Sequence, residues 1–513
     1  MRTVHRVRPI DSVFAQGETW VLAQSALPVA DSGSSESVLQ KGSTVPELLI
    51  DKPDLRVFWS GYDPLDLASD SIDPLGFMGG YVALADRILP GFTTITTVPR
   101  YASVLCLGLK LAREAVGDGD GHSISARRRQ IIEKLKLFER AWGLACGLAE
   151  EDSAIGARAT DGLRGIRAVH RWRDLNATKE KLTLSFDILS NQVRYGGIGA
   201  YSTFLESLHL ADMGTLTLRP LGEELAAGFP SPNDFALDVL RDDTRLAVEG
   251  LRDWGRQAHA GTLTTLEAQI LRRALQGGEE AEFDDHTRWT MLRLLRACDS
   301  GEPLDEPQLL ALCLSSLKHD ESGGSDPIGR AKTRIGRALC LIEPYERMYQ
   351  CVLFVFDQIR CQATASGQVR LQTVMEEPSL VNACAQMRRA SAAFLAQMEA
   401  ASGNDAVLGT ATQTLQKLGL VELAQSLGAT ERPIDLGEEI LQRHLRVQEG
   451  KFDAGLPKGP WVRVEPDQGC AARLTSQRFG LNASQVANSW KHMARHPYRT
   501  FGAKRFIRLC KIQ

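Results

Sequence analysis

Apolar residues recur every three or four positions along most of the chain, while strict alternation of apolar and polar residues is scarce. In residues 131–148 the side chains of Ile131, Leu135, Phe138, Trp142 and Ala145 share one face of an amphipathic helix. The same period marks residues 288–297, 308–318, 335–359, 380–400 and 434–447 as helices. Leu84, Ile88 and residues 101–111 carry it nearer the N-terminus, broken by a turn at Pro90-Gly91. These patterns predict a mainly α, multidomain helical protein. Gly-, Ser- and Pro-rich breaks divide it into an N-terminal segment (1–50), a helical domain (51–160), a winged-helix-like domain (161–232), a second helical domain (233–449) and a basic C-terminal helical module (450–513).

Two stretches have the local order of nucleic-acid-binding motifs. Around Tyr195-Gly196-Gly197-Ile198-Gly199 the chain enters a helix over 200–208, then a strand–turn–strand wing over 210–218 and a closing helix over 221–229. That order predicts a winged helix, with Arg194 and Arg219 as its phosphate-contacting residues. Residues 472–479 and 483–494 predict two short helices across a Gly480-Leu481-Asn482 turn, with Asn482 or Ser484 as the N-cap. This resembles a helix-turn-helix, whose second helix presents Gln485, Asn488, Ser489 and Lys491 to base edges and phosphates.

Charge changes the picture once it is followed along the chain. The whole sequence carries 60 Lys and Arg against 63 Asp and Glu, a near-neutral balance that argues against a polyanionic partner. Residues 468–513, however, contain Arg473, Arg478, Lys491, Arg495, Arg499, Lys504, Arg505, Arg508 and Lys511 and no acid, which leaves −12 on the remaining 467 residues. Trp490, Tyr498, Phe501 and Phe506 are interleaved with these cations. Clustered Lys and Arg neutralise phosphates, and aromatic faces pack on bases. The expected partners are nucleic acid, double-stranded DNA first, and the other proteins of a multi-subunit assembly. The acidic body is also able to cover the basic end in cis.

The richest apolar runs, 103–111 and 351–356, are far shorter than the ~20 residues that span a bilayer, and no signal-peptide-like run follows the N-terminus. The ten cysteines form no C-x-x-C pair. A cytoplasmic protein with free thiols and no membrane partner is expected.

No sequence motif commits the chain to a reaction. Walker-type and dinucleotide-binding loops and the G-x-S-x-G elbow are missing. Asp118, Asp120 and His122 hint at a calcium loop, but Ser123 and Arg129 occupy the positions that need Gly and Glu. His492 and His496 have zinc-finger spacing, yet Cys470 and Cys510 are single and distant. Asp435, Glu449 and Lys451 have the D…E-x-K order of metal-dependent nucleases, although residues 434–447 read as an amphipathic helix rather than strands. The leading expectation is a non-catalytic nucleic-acid-binding or scaffold subunit without metal or cofactor. A divergent nuclease and a pure protein-interaction adaptor are the alternatives.

One block is familiar. Asp73-Pro74-Leu75-Gly76, then the stretch from Leu84 to Thr93 with Leu89-Pro90-Gly91, then Thr96, Thr97 and Arg100-Tyr101 follow in order. This block, within residues 55–111, resembles the opening of helical bacterial proteins found among phage-defence and mobile-island genes. The resemblance implies a defence or genome-maintenance role linked to DNA and carries no catalytic residues.

Overall fold

Asp73 fixes the start of the first described helix: its carboxylate accepts the backbone N–H groups of Leu75, Gly76 and Met78 at 3.1, 3.0 and 2.6 Å. The computed structural model describes residues 73–117, 123–232, 238–241, 244–278, 281–299, 304–319, 326–402, 408–453, 456–465 and 471–513. The chain divides into Met1–Pro53 and Asp54–Gln513, and all the described residues belong to the second unit. The suggested calcium loop at 118–122, Cys470 and the first part of the familiar block, 55–72, lie outside the described residues.

From Asp73 the chain runs through α1 (Met78–Ile88), the Pro90-Gly91 turn, α2 (Arg100–Val116) and α3 (Ile124–Ala149). Then come α4 (Ile166–Leu175), β1 (Lys181–Thr183), α5 (Gln192–Tyr195), α6 (Gly197–Ser207), the hairpin β2 (Ala211–Asp212) and β3 (Thr217–Leu218), and α7 (Pro220–Gly228). β4 (Arg245–Ala247) leads into α8 (Val248–Ala258), α9 (Thr265–Leu275), α10 (Phe283–Cys298) and α11 (Glu306–His319). The longest element is α12 (Pro327–Ser366), which runs through Pro344 for 40 residues. β5 (Gln368–Arg370), α13 (Leu371–Met375), α14 (Pro378–Ser402), α15 (Gly409–Lys417), α16 (Leu420–Ala429) and α17 (Pro433–Glu449) follow. The chain ends in β6 (Phe452–Asp453), β7 (Leu456–Pro457), β8 (Val462–Glu465), β9 (Ala471–Leu474), a segment of short 3-10 turns, and α18 (Thr500–Leu509).

The protein is mainly helical, as the periodicity predicts, and the long apolar stripes all become helices. Their ends follow capping chemistry. In α9 the Thr264 hydroxyl and Glu267 carboxylate form a reciprocal capping box, and Glu282 and Asp285 do the same for α10. The buried faces meet in one continuous core that extends from Leu75 to Ile512 across the sequence breaks at 160, 232 and 449. Phe92, Phe204 and Phe506 meet there with ring centroids 5.0–5.2 Å apart, joining the loop after α1, α6 and α18. The fully buried pair Arg100–Glu267 at 3.1 Å ties α2 to α9, and Arg100 Nε donates to Thr262 O at 2.7 Å. Among the described residues no helix is long and apolar enough to cross a membrane.

The winged-helix expectation is met only locally. The helix, two-stranded wing and closing helix form in order as α6, β2–β3 and α7. The preceding strand β1 does not join the wing; it pairs antiparallel with β4, so the three-stranded sheet of a winged helix is not built. The wing is also clamped to the body. Arg128 donates to Met213 O at 3.0 Å and to Gly214 O, and Arg113 donates to Thr215 O and Leu216 O at 3.4 Å.

The helix-turn-helix expectation is corrected outright. The expected first helix, 472–479, is strand β9 followed by a 3-10 turn at Gln477–Phe479. The expected second helix, 483–494, is an extended segment holding 3-10 turns at Ala483–Gln485 and Trp490–His492. Asn482 does form a capping box with Gln485, but the helix it opens stops after one turn. The reason is that α12 claims the backbone groups a helix would need. Arg360 donates to Phe479 O at 2.9 and 2.7 Å, Gln358 to Ala487 O at 3.1 Å and Gln350 to Met493 O at 2.6 Å. The Thr364 hydroxyl accepts Leu481 N–H at 3.0 Å. The segment thus forms a strap laid antiparallel along one polar stripe of α12.

Candidate nucleic-acid interface

The cations of the C-terminal end fall into two groups. The first is spent inside the molecule. Arg495 makes a forked pair with Glu343 at 2.8 and 3.2 Å, and Arg499 pairs with Asp86 and donates to Leu89 O at 3.2 Å. Arg505 pairs with Asp161 at 3.2 Å and donates to Ala260 O at 3.2 Å, while Lys504 lies 3.8 Å from Asp299. His496 is turned inward: its backbone N–H and Nδ1 both meet the buried Glu346 carboxylate, which also accepts the Tyr498 hydroxyl at 2.7 Å. Glu306 accepts Tyr498 N–H, Thr500 N–H and the Thr500 hydroxyl at 2.8, 3.0 and 2.6 Å, capping α18 from another element. Burial raises the Glu306 carboxyl above its usual range, and the Thr500 and Tyr498 hydrogen bonds oppose that shift. Part of the basic end is therefore covered in cis by the acidic body.

The second group faces solvent on a small sheet. β9 lies between β5 and β8, both antiparallel to it. Alternation turns Val462, Val464, Ala472 and Leu474 inward, and puts Arg370, Arg463 and Arg473 outward and exposed. Arg463 and Arg473 are direct cross-strand partners. Like charges so placed are unfavourable without a counter-charge, and among the described residues the acid paired with Arg473, Glu465, reaches it only at 3.9 Å. Arg478 stands beside this row, where it and Arg463 line a shallow pocket of about 280 Å³ with Phe479 and Ser476. A stack packs that edge: the Arg478 guanidinium lies 4.5 Å over Phe479, whose ring stacks on Trp461 at 5.2 Å, and Arg360 covers Trp461 at 4.8 Å. The arrangement offers a row of exposed guanidinium groups to an anion.

The remaining expected contacts are scattered. Gln485 is used in its capping box, and Asn488 Oδ1 lies 2.6 Å from His492 Nδ1. Lys491 lies 5.9 Å over the Trp490 ring and is exposed. Arg508 is exposed on α18, facing a different groove. Arg194 packs over Tyr195 at 5.5 Å, and Arg219 donates to His209 Nδ1 at 3.0 Å; neither lies on the sheet. Arg370 and Arg463 fall outside the basic window read from the sequence. The signal for Arg463 was the short alternation Val462-Arg463-Val464.

The nuclease constellation is corrected. Asp435 sits in the first turn of α17, paired with Arg432 at 2.6 Å, and Glu449 is the last residue of the same helix. Fourteen positions of helical rise separate them by ~21 Å. Lys451 is buried against Asp73 O, its pKa lowered to about 8 by that burial. Among the described residues no group of three His, Cys, Asp or Glu is arranged to hold a metal ion.

Comparison of this chain with protein-family models, curated proteins and solved structures yields no match.

Proposed function

We propose that this protein is a non-catalytic scaffold subunit that holds nucleic acid, double-stranded DNA first, within a bacterial defence or genome-maintenance assembly. The observation that carries the reading is the exposed Arg463–Arg473 row with Arg370 and Arg478 beside it. Side-by-side cations on a sheet cost stability in the free protein and gain it back against phosphates. The separation of Asp435 from Glu449 supports a role without nuclease chemistry. The long helices, closed into one core, suit a platform that docks other proteins.

The test is a fluorescence-anisotropy titration of the full chain with a DNA duplex at increasing salt. Four engaged guanidinium groups give a slope of log K against log salt of about −3.6. Arg463→Glu with Arg473→Glu is expected to weaken binding at least ~100-fold and flatten the slope. Absence of binding at low salt, or binding indifferent to this variant, sinks the proposal and leaves the protein-adaptor reading.

A further inference from the structure

A second basic concavity lies away from the sheet, where the last turn of α10 meets the length of α18. It has a volume of about 740 Å³ and is lined by Arg296, Phe501, Lys504, Arg505, Arg508 and Lys511. Asp161 and Asp299 are the acids at its wall. They are already engaged, Asp161 by Arg505 and Asp299 by Lys504. Arg296, Arg508 and Lys511 are exposed and have no carboxylate within ion-pair distance among the described residues.

The simplest structural role for cations at helix C-termini is to offset the helix dipoles, about half a negative charge each. Five cationic side chains against two acidic ones leave +3 in side-chain charge at this groove, which Gln513 also lines. Two helix ends therefore account for about one charge of the excess and leave roughly two. Two further features set the groove apart. Arg505 is only 7% exposed, lines the groove, and its Nε has no hydrogen-bond partner. Lys511 holds a left-handed backbone, φ 53°, at the position after the α18 cap where glycine is the usual residue. A lysine kept in that conformation places a cation at the groove at the expense of local strain. Phe501, 64% exposed, supplies an aromatic face beside these charges.

We infer that this groove binds a phosphate ester bearing a planar base: its phosphates against Arg296, Arg508 and Lys511, and its base on Phe501. The chemistry is shared by a free nucleoside diphosphate and by the 5′-phosphorylated end of a strand. The site is independent of the sheet face.

Calorimetric titration of the full chain with ADP at about 50 mM salt tests it, since phosphate contacts are strongest at low ionic strength. Saturable binding is expected. Arg508→Gln with Lys511→Gly should weaken it by on the order of 10- to 100-fold, as two charge-assisted contacts are lost. Glycine suits the φ of position 511, so a loss there does not come from misfolding. Phe501→Ala should weaken ADP roughly fivefold and leave pyrophosphate unchanged. A phosphorylated DNA octamer, titrated in the Arg463→Glu, Arg473→Glu background, separates the two sources. Tighter octamer binding marks a strand end, and tighter ADP binding marks a free nucleotide. No saturation with either ligand, equal affinity in the Arg508→Gln, Lys511→Gly variant, or pyrophosphate binding as tightly as ADP overturns the inference. No duplex binding by the native chain at low salt, with ADP binding kept, would count against the sheet face alone.

Discussion

His444 shows how much a single buried ring determines. Its Nε2 accepts the Trp461 N–H at 2.8 Å, so Nδ1 carries the proton that reaches Pro74 O at 2.8 Å. Only the neutral imidazole satisfies both partners, and burial holds its pKa down to about 4. An unfolded histidine takes its proton near pH ~6.5, so between those values the unfolded chain binds more protons. The stabilisation is complete above that upper value and disappears as pH falls through the lower one, on the order of 3 kcal/mol in all. Urea midpoints measured from pH 7 to pH 4 should fall steeply for the native chain and less for His444→Gln. Parallel slopes would refute the assignment. Lys511 behaves oppositely: Lys511→Gly relieves a left-handed backbone at an exposed position and should raise stability by about 1 kcal/mol, read as a higher Tm.

At the scale of elements, close approach and borrowed caps dominate. Gly255 of α8 packs directly on the backbone of α3, where an added Cβ would overlap the Ala145 carbonyl. Gly255→Ala is expected to cost roughly 2–3 kcal/mol, seen in the denaturation midpoint, although alanine favours helix in isolation. The cap of α18 is borrowed from Glu306. Glu306→Ala leaves two backbone donors and a hydroxyl without their acceptor and should cost about 2 kcal/mol. Hydrogen exchange should quicken first at residues 498–503. The sequence made the helices legible because each owes its pattern to its own stripe of apolar residues. It made β9 illegible for the same reason. Ala471-Ala472-Arg473-Leu474 is composed of helix formers, and its strand state comes from β5, about a hundred residues upstream, and from β8.

Across the whole molecule, the segregated charge has two fates that linear reading could not separate. Arg495, Arg499 and Arg505 are held by acids that lie more than 150 positions away in the chain, while Arg463 and Arg370, outside the basic window, complete the exposed row. Which cation belongs to which group depends on the tertiary partners of α12 and β5, and no local pattern encodes that. The basic end is accordingly no independent module. A fragment of residues 450–513 lacks β5, Glu306, Glu343 and Glu346, and is expected to be unfolded by circular dichroism. A cooperative melt of that fragment would contradict this account.

The strap also sets a problem of length. Between Arg360 and Glu343, helix α12 advances ~25 Å, at 1.5 Å per residue. The facing stretch from Phe479 to Arg495 would reach ~53 Å if fully drawn out. About half of its contour must be taken up, and the 3-10 turns at Ala483–Gln485 and Trp490–His492 are where the slack is gathered. Insertions or deletions therefore have unequal consequences on the two sides. An extra residue in a turn of the strap only enlarges a loop that already stores surplus chain. An extra residue between Gln350 and Gln358 rotates every later anchor by ~100° and turns the stripe away from the strap. The helix is the ruler in this pairing, and the strap is the cord cut to fit it.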